Sequence, residues 1–323
     1  MRWWLAALLA SAGILVAAFV LSPWPSVYLI RFVFDRGAAA ASAKLEKHLP
    51  QTISTTTASY DPSDKNAILD VYRPPQQDIK GPVVVWIHGG GFVSGRRADI
   101  ANYLKVLAGR GFVVVNVDYT IAPEAKYPMP VRQVGKALAF LAQNGGRLGV
   151  DANRIVLAGD SAGAQIAAQT AAIVTNSDYA RRVGVAPADG SFRLAGALLF
   201  CGIYDITGMG RQGGILGWFV GSTTWAYSGA RDWRNAKGFE TMSVAPNITG
   251  AFPPTLISAG NADPLGPQSA AMAAALKAKG VNVQELFFPA DYQPGLGHEY
   301  QFDLDTEAGQ LALSRTVDWL GRL

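Results

Sequence analysis

The pentapeptide Gly159-Asp160-Ser161-Ala162-Gly163 constrains this chain more than any other stretch. The apolar run before it predicts a strand over 154–158, and the Ala- and Gln-rich stretch after it predicts a helix over 162–175. A strand that turns into a helix within so few residues must hold Ser161 in a strained backbone conformation, with its hydroxyl raised above the sheet edge. Glycines two residues to either side let strand and helix close without colliding side chains. The helix N-terminus beneath offers backbone N–H groups and a positive dipole end to a developing anion. This is the G-x-S-x-G elbow in the context that gives it meaning. The bland alternative is a Gly-rich turn carrying a solvent-facing serine.

Apolar runs and helical patterns alternate through the rest of the chain. Strands are predicted at 67–72, 83–87, 112–117, 195–200, 255–259 and 283–288, and helices at 100–110, 131–143, 268–279 and 306–320. Fully apolar strands such as Val83-Val84-Val85-Trp86-Ile87 imply burial on both faces, as in a parallel sheet between helix layers. One doubly wound α/β domain is expected. The stretch 205–250 breaks the rhythm with a Gly-rich segment followed by Trp218, Trp225 and Trp233, and is read as an insertion. No internal repeat is found.

A second Gly-rich box, His88-Gly89-Gly90-Gly91, follows the strand at 83–87. Three glycines free the backbone N–H groups to face a cavity, and such a loop partners the serine elbow in lipases and esterases. No phosphate-binding G-x-x-x-x-G-K-[ST] or dinucleotide fingerprint competes with it. Of the three histidines, His88 is held in this loop, and only His298 follows Ser161. The chain order serine, acid, histidine therefore selects His298 as general base. Among the acids between them, Asp263 stands just past the strand at 255–259, one strand before the histidine loop. Asp205 is the runner-up, and Asp291 lies on the histidine's own loop.

The chain carries 28 Lys and Arg against 24 Asp and Glu, and half of that excess lies in the first 36 residues, where Arg2, Arg31 and Arg36 outnumber Asp35. With no dense basic stripe, nucleic acid is not an expected partner. The lone Cys201 sits in an apolar run and cannot form an intramolecular disulfide. One cysteine and three scattered histidines exclude a structural zinc site, and neither metal nor cofactor is expected.

From Trp3 to Leu21 there is no charge. Nineteen residues make a helix of about 28 Å, close to a bilayer core. Tryptophans at both ends suit the interface, and Pro23 and Pro25 stop the run. An uncleaved membrane anchor is the preferred reading. A signal peptide would want a shorter apolar run and a better cleavage site, and a core helix would show a polar face. The flanking charges leave the membrane side open, with export after cleavage as the alternative localisation. The expected organisation is an anchor over 1–25, a linker and N-terminal cap segment over 26–65, and a catalytic domain over 66–323 with a cap insertion at about 205–250.

Together these boxes resemble the hormone-sensitive-lipase-like α/β-hydrolases, over roughly residues 80–320. Also similar are Asp118-Tyr119-Thr120-Ile121-Ala122-Pro123-Glu124, Ser243-Val244-Ala245-Pro246-Asn247 and Gly260-Asn261-Ala262-Asp263-Pro264-Leu265. The resemblance implies an α/β-hydrolase fold, a mostly parallel sheet flanked by helices under a helical cap formed by 30–65 and 205–240. It further implies hydrolysis of short- to medium-chain acyl esters through an acyl-enzyme, without cofactor, and an oxyanion hole from the N–H groups of Gly90, Gly91 and Ala162. Asp160 fits the GDSAG branch of the family. One departure stands out, since family members usually read His-Gly-Phe where this chain has His298-Glu299-Tyr300. An acyltransferase or amide hydrolase would use the same residues, and a non-catalytic binding protein could share the fold. No feature of the sequence sets an oligomeric state.

Overall fold

A computed structural model describes residues 2–209 and 213–323, so Gly210, Arg211 and Gln212 of the Gly-rich stretch lie outside the described residues. Eight strands form one sheet: β1 (Ser54–Ser59), β2 (Ile68–Arg73), β3 (Val83–Ile87), β4 (Val114–Val117), β5 (Ile155–Asp160), β6 (Leu194–Phe200), β7 (Thr255–Ala259) and β8 (Val283–Phe287). Their order is β1-β2-β4-β3-β5-β6-β7-β8. β1 and β2 pair antiparallel, β2 meets β4 antiparallel, and the pairs from β4 through β8 are parallel. This is an α/β-hydrolase sheet, as expected.

The central strands are buried on both faces because alternate residues feed two separate cores. Val83, Val85, Ile87, Ile155 and Leu157 point into one; Val84, Trp86, Val156 and Ala158 point into the other. The first core is closed by α4 (Met129–Leu148), α5 (Ala162–Thr175) and α8 (Gly266–Ala278), and the second by α3 (Arg97–Ala108) and α9 (Glu307–Leu320). The exposed edge strand β1 escaped the sequence reading because Ser-Thr-Thr-Thr-Ala-Ser has no apolar alternation to detect.

The two N-terminal helices are α1 (Arg2–Leu21) and α2 (Trp24–Leu45). The prolines act at the start of α2: Pro23 sits at its N-cap and Pro25 in its first turn, where a missing N–H leaves no bond unmade. α2 runs unbroken into the stretch that, in the sequence, reads as a linker and N-terminal cap segment over 26–65. The insertion after β6 contains α7 (Gly214–Ser228), and α2 and α7 pack together through Phe34 and Phe219, with ring centroids 5.5 Å apart. α6 (Ser177–Val183) completes the helices; Asn176 caps it by accepting from the N–H groups of Asp178 and Tyr179.

Candidate active site

β5 delivers Ser161 at φ 51° and ψ −118°, a conformation rarely tolerated by a residue with a side chain. The glycines around it are needed for space. A Cβ on Gly159 would lie 2.5 Å from the Gly163 carbonyl carbon, and one on Gly163 would lie 2.0 Å from the Ile87 oxygen. The helix α5 can enter here only because both positions lack a side chain. Ser161 is itself almost buried.

The sheet order places β6 and then β7 beside β5, so the loops after β7 and β8 arrive above the serine. The Nε2 of His298 is 2.9 Å from Ser161 Oγ, and its Nδ1 is 2.9 Å from Asp263 Oδ2. The other Asp263 oxygen accepts from the Leu265 N–H at 2.8 Å, which fixes the carboxylate plane. Asp205, the alternative acid, accepts instead from Thr207 and Ser243. Asp291 is exposed.

Burial disfavours the charged form of His298, but Cys201, the Asp263 hydrogen bond and the Glu299 carboxylate act the other way and leave its pKa raised above the ordinary imidazole value. Burial also pushes the Cys201 thiol up, so it faces the ring as a neutral group, and the two carboxylates carry the rise. Cys201, Asp263 and His298 hold candidate ligand atoms within 4.8 Å of one another. The atoms of His298 and Asp263 are engaged with each other and with Ser161, and we assign no metal to them.

The loop after β3 supplies the other half of the site. Gly90 and Gly91 have φ of 108° and 60°, and among the described residues their amides have no acceptor. Ala162 is the first residue of α5, so its N–H has no carbonyl one turn back within the helix. His88 is buried beneath, stacked on Tyr119 at 4.3 Å, with Nδ1 2.8 Å from the Gly89 carbonyl oxygen. Burial lowers its pKa, which makes it a neutral structural ring. Asp160 accepts from Trp86 Nε1 at 2.8 Å; its carboxyl is raised well above the usual range, first by burial and then by the charge of Glu299.

Several residues that shape the site were given no role by the sequence. Asn261 staples the two loops, donating to the Tyr292 carbonyl at 3.0 Å and accepting from the Leu296 N–H at 2.8 Å. Arg31, read in the sequence as one of the charges flanking a membrane segment, is engaged with the catalytic domain. It donates to the carbonyls of Val93 and Ala122 at 2.6 and 3.0 Å and forks onto Glu124 at 2.9 and 2.6 Å. Such side-chain partners become visible only when the chain is folded. Above Ser161 opens a cavity of about 510 Å³, within the size range of small-ligand sites. Its walls include Phe34 and Ala38 of α2, Phe219 and Val220 of α7, and the glycine loop.

The BD-FAE family model matches residues 69–277, and the chain belongs to that family of α/β-hydrolases. Esterase LipQ of Mycobacterium tuberculosis is 26% identical over 238 residues, covering 72% of this chain and 55% of the relative. Carboxylesterase NlhH of the same species is 35% identical over 166 residues, covering 49% and 50%. Esterase LipI is 41% identical over 101 residues, 30% and 32% of the two chains. The matches thus span between about a third and about half of these relatives. Among solved structures, an esterase from Pyrobaculum calidifontis superposes with a TM-score of 0.72 at 26% identity over 92% of both chains. Esterase B of Lactobacillus rhamnosis shares the fold, with a TM-score of 0.78 at 23% identity over 93% and 96%.

Proposed function

We propose that this chain is a serine carboxylester hydrolase that works through an acyl-enzyme on short- to medium-chain acyl esters. The observation that carries the reading is the hydrogen-bonded line Ser161–His298–Asp263 opening into an apolar cavity beside three free backbone amides. Ser161 Oγ attacks the ester carbonyl while His298 Nε2 takes its proton. The oxyanion rests on the N–H groups of Gly90, Gly91 and Ala162. The proton then passes from Nε2 to the departing alcohol oxygen as the C–O bond breaks, and water repeats the sequence to release the acid.

The esterase and carboxylesterase relatives support the same reading. Hydrolysis of p-nitrophenyl esters from acetate to palmitate by the full chain in detergent tests it, with Ser161→Ala as the partner. Turnover on short chains that falls by about 10⁴-fold or more in the variant is expected. An ester product dominating when an alcohol acceptor is supplied would replace hydrolysis with acyl transfer. Absence of turnover and of serine labelling in a folded protein would leave a binding role.

The chain is further proposed to be membrane-anchored through its N-terminal helices. Among the described residues no single helix is long and apolar enough to cross a membrane, whereas α1 and α2, bent by 85°, have together the length and composition of a broken span. Trp3, Trp4, Leu8, Leu9 and Ile14 stand exposed on α1, which favours a lipid contact over a water-facing helix.

A further inference from the structure

Four non-glycine residues among those described have positive φ: Phe92 at 67°, Ser161 at 51°, Cys201 at 45° and Glu299 at 60°. All four lie at or beside the site, where retained strain points to function. The elbow accounts for Ser161. Glu299 has no such explanation, and it stands where the resembling family usually has glycine, the residue that adopts this conformation without strain.

The backbone on both sides of Glu299 is pinned. His298 is held by Asp263 and Ser161. Beyond it, Tyr300 Oη lies 2.9 Å from Ser258 Oγ, Gln301 Nε2 donates to the same oxygen at 3.1 Å, and Phe302 packs on Tyr103 with centroids 4.7 Å apart. Glu299 is the joint between two anchored segments. Its carboxylate reaches back over the site: Oε1 is 3.8 Å from His298 Nε2, the nitrogen that faces Ser161, and its side chain forms part of the cavity wall.

We propose that Glu299 is a positioning residue that acts through His298, so that the imidazolium formed when the ring takes the Ser161 proton is held between two carboxylates. This rests on the esterase reading of the site. Asp263 faces Nδ1 from the loop after β7, and Glu299 faces Nε2. The remaining groups facing the ring are the Cys201 thiol at the end of β6 and the Asp160 carboxyl at the end of β5, both pushed towards their neutral forms, first by burial. His88, Asp99 and Arg96 stand further round the cavity wall. Glu299 itself neither gains nor loses a proton in the cycle; the proton moves from Ser161 to Nε2 and on to the alcohol. Its charge favours the protonated ring, so the free enzyme needs a higher pH to present a neutral base.

The test uses the full chain in detergent, as wild type, Glu299→Gln and Glu299→Gly. The rate at which a fluorophosphonate labels Ser161, and kcat/KM on p-nitrophenyl butyrate, are followed against pH. Removing the charge should move the acid limb of both profiles to lower pH by about half to one unit. In Glu299→Gln, kcat at the plateau should fall about 3- to 10-fold with KM little changed. Glu299→Gly should show the same limb shift together with a higher thermal midpoint, since the backbone strain is gone. Acid limbs that superimpose across the three proteins, with labelling intact, would overturn the role while leaving the esterase reading in place. Wild-type protein that is folded yet unlabelled at every pH would overturn both.

Discussion

The rim of the cavity and the N-terminal helical pair follow opposite physical rules. At the rim, backbone meets backbone with no spare room. At α1, no described residue is buried, and a Cβ on Gly13 would meet nothing within 4 Å. One region is specified by exclusion, the other by apolar composition alone. α2 belongs to both, since its inner face closes the cavity while Tyr28, Leu29 and Phe32 stand exposed. The difference teaches where substitution should be fatal, where it should be graded, and where it should leave catalysis untouched.

The harshest way to probe the rim is Gly163→Ala. A methyl group 2.0 Å from the Ile87 oxygen must displace β3 or α5, the two elements that hold the glycine loop and the serine. Destabilisation of about 3 kcal/mol or more, read by calorimetry, and loss of Ser161 labelling are expected. A variant with wild-type melting would mean that the elbow has slack, and the contrast with α1 would collapse.

This contrast also explains how much was legible in advance. The elbow, the glycine loop and the fully apolar strands leave local signatures because short-range sterics and two-sided burial dictate residue type at fixed spacing. His298 and Asp263 could be singled out from histidine scarcity and chain order, and the fold brings both to Ser161. The polar β1 was not legible because it lacks apolar alternation, although its partner β2 is the next strand, and the staple role of Asn261 was not because its partners lie on another loop. The unbroken course of α2 was missed for a related reason: Arg31 and the Ala-rich stretch make sense as one helix only when seen against α3, α7 and the loop they cover.

Arg31→Ala sharpens the intermediate case. The two bonds to the carbonyls of Val93 and Ala122 hold α2 against the segment just past Gly90 and Gly91 and against the loop after β4. Glu124 is 43% exposed, so its share of the pair is largely screened. A loss of about 1–2 kcal/mol in stability is expected, with hydrolysis reduced a few-fold through a looser loop. Burial opposes the charged form of Glu124, but the Arg31 hydrogen bond, a backbone N–H and the Arg31 charge together outweigh it and leave the carboxyl below its usual value. The pair's contribution is therefore present above the ordinary carboxylate range and fades as pH falls through the lowered value. Arg31→Ala should narrow the stability gap between neutral and acid pH, as chemical denaturation at each pH would reveal.

The mildest catalytic effect should come from the largest deletion, removal of residues 1–21. α1 lies outside both cores and leaves the cavity wall to α2, so kcat/KM on a soluble ester should stay within about two-fold of the full chain. Carrying the cut on to residue 36 would be a different experiment, since it removes Arg31 and Phe34 and with them the docking of α2. The shorter deletion should instead abolish co-sedimentation with phospholipid vesicles, because it removes the exposed apolar surface proposed to enter lipid. Intact vesicle binding after the deletion would move the membrane contact onto the outer face of α2. A full chain that never sediments with vesicles would remove the anchor reading. Lost hydrolysis in a folded deletion would place α1 in the service of the site, and the division between the two regions would no longer hold.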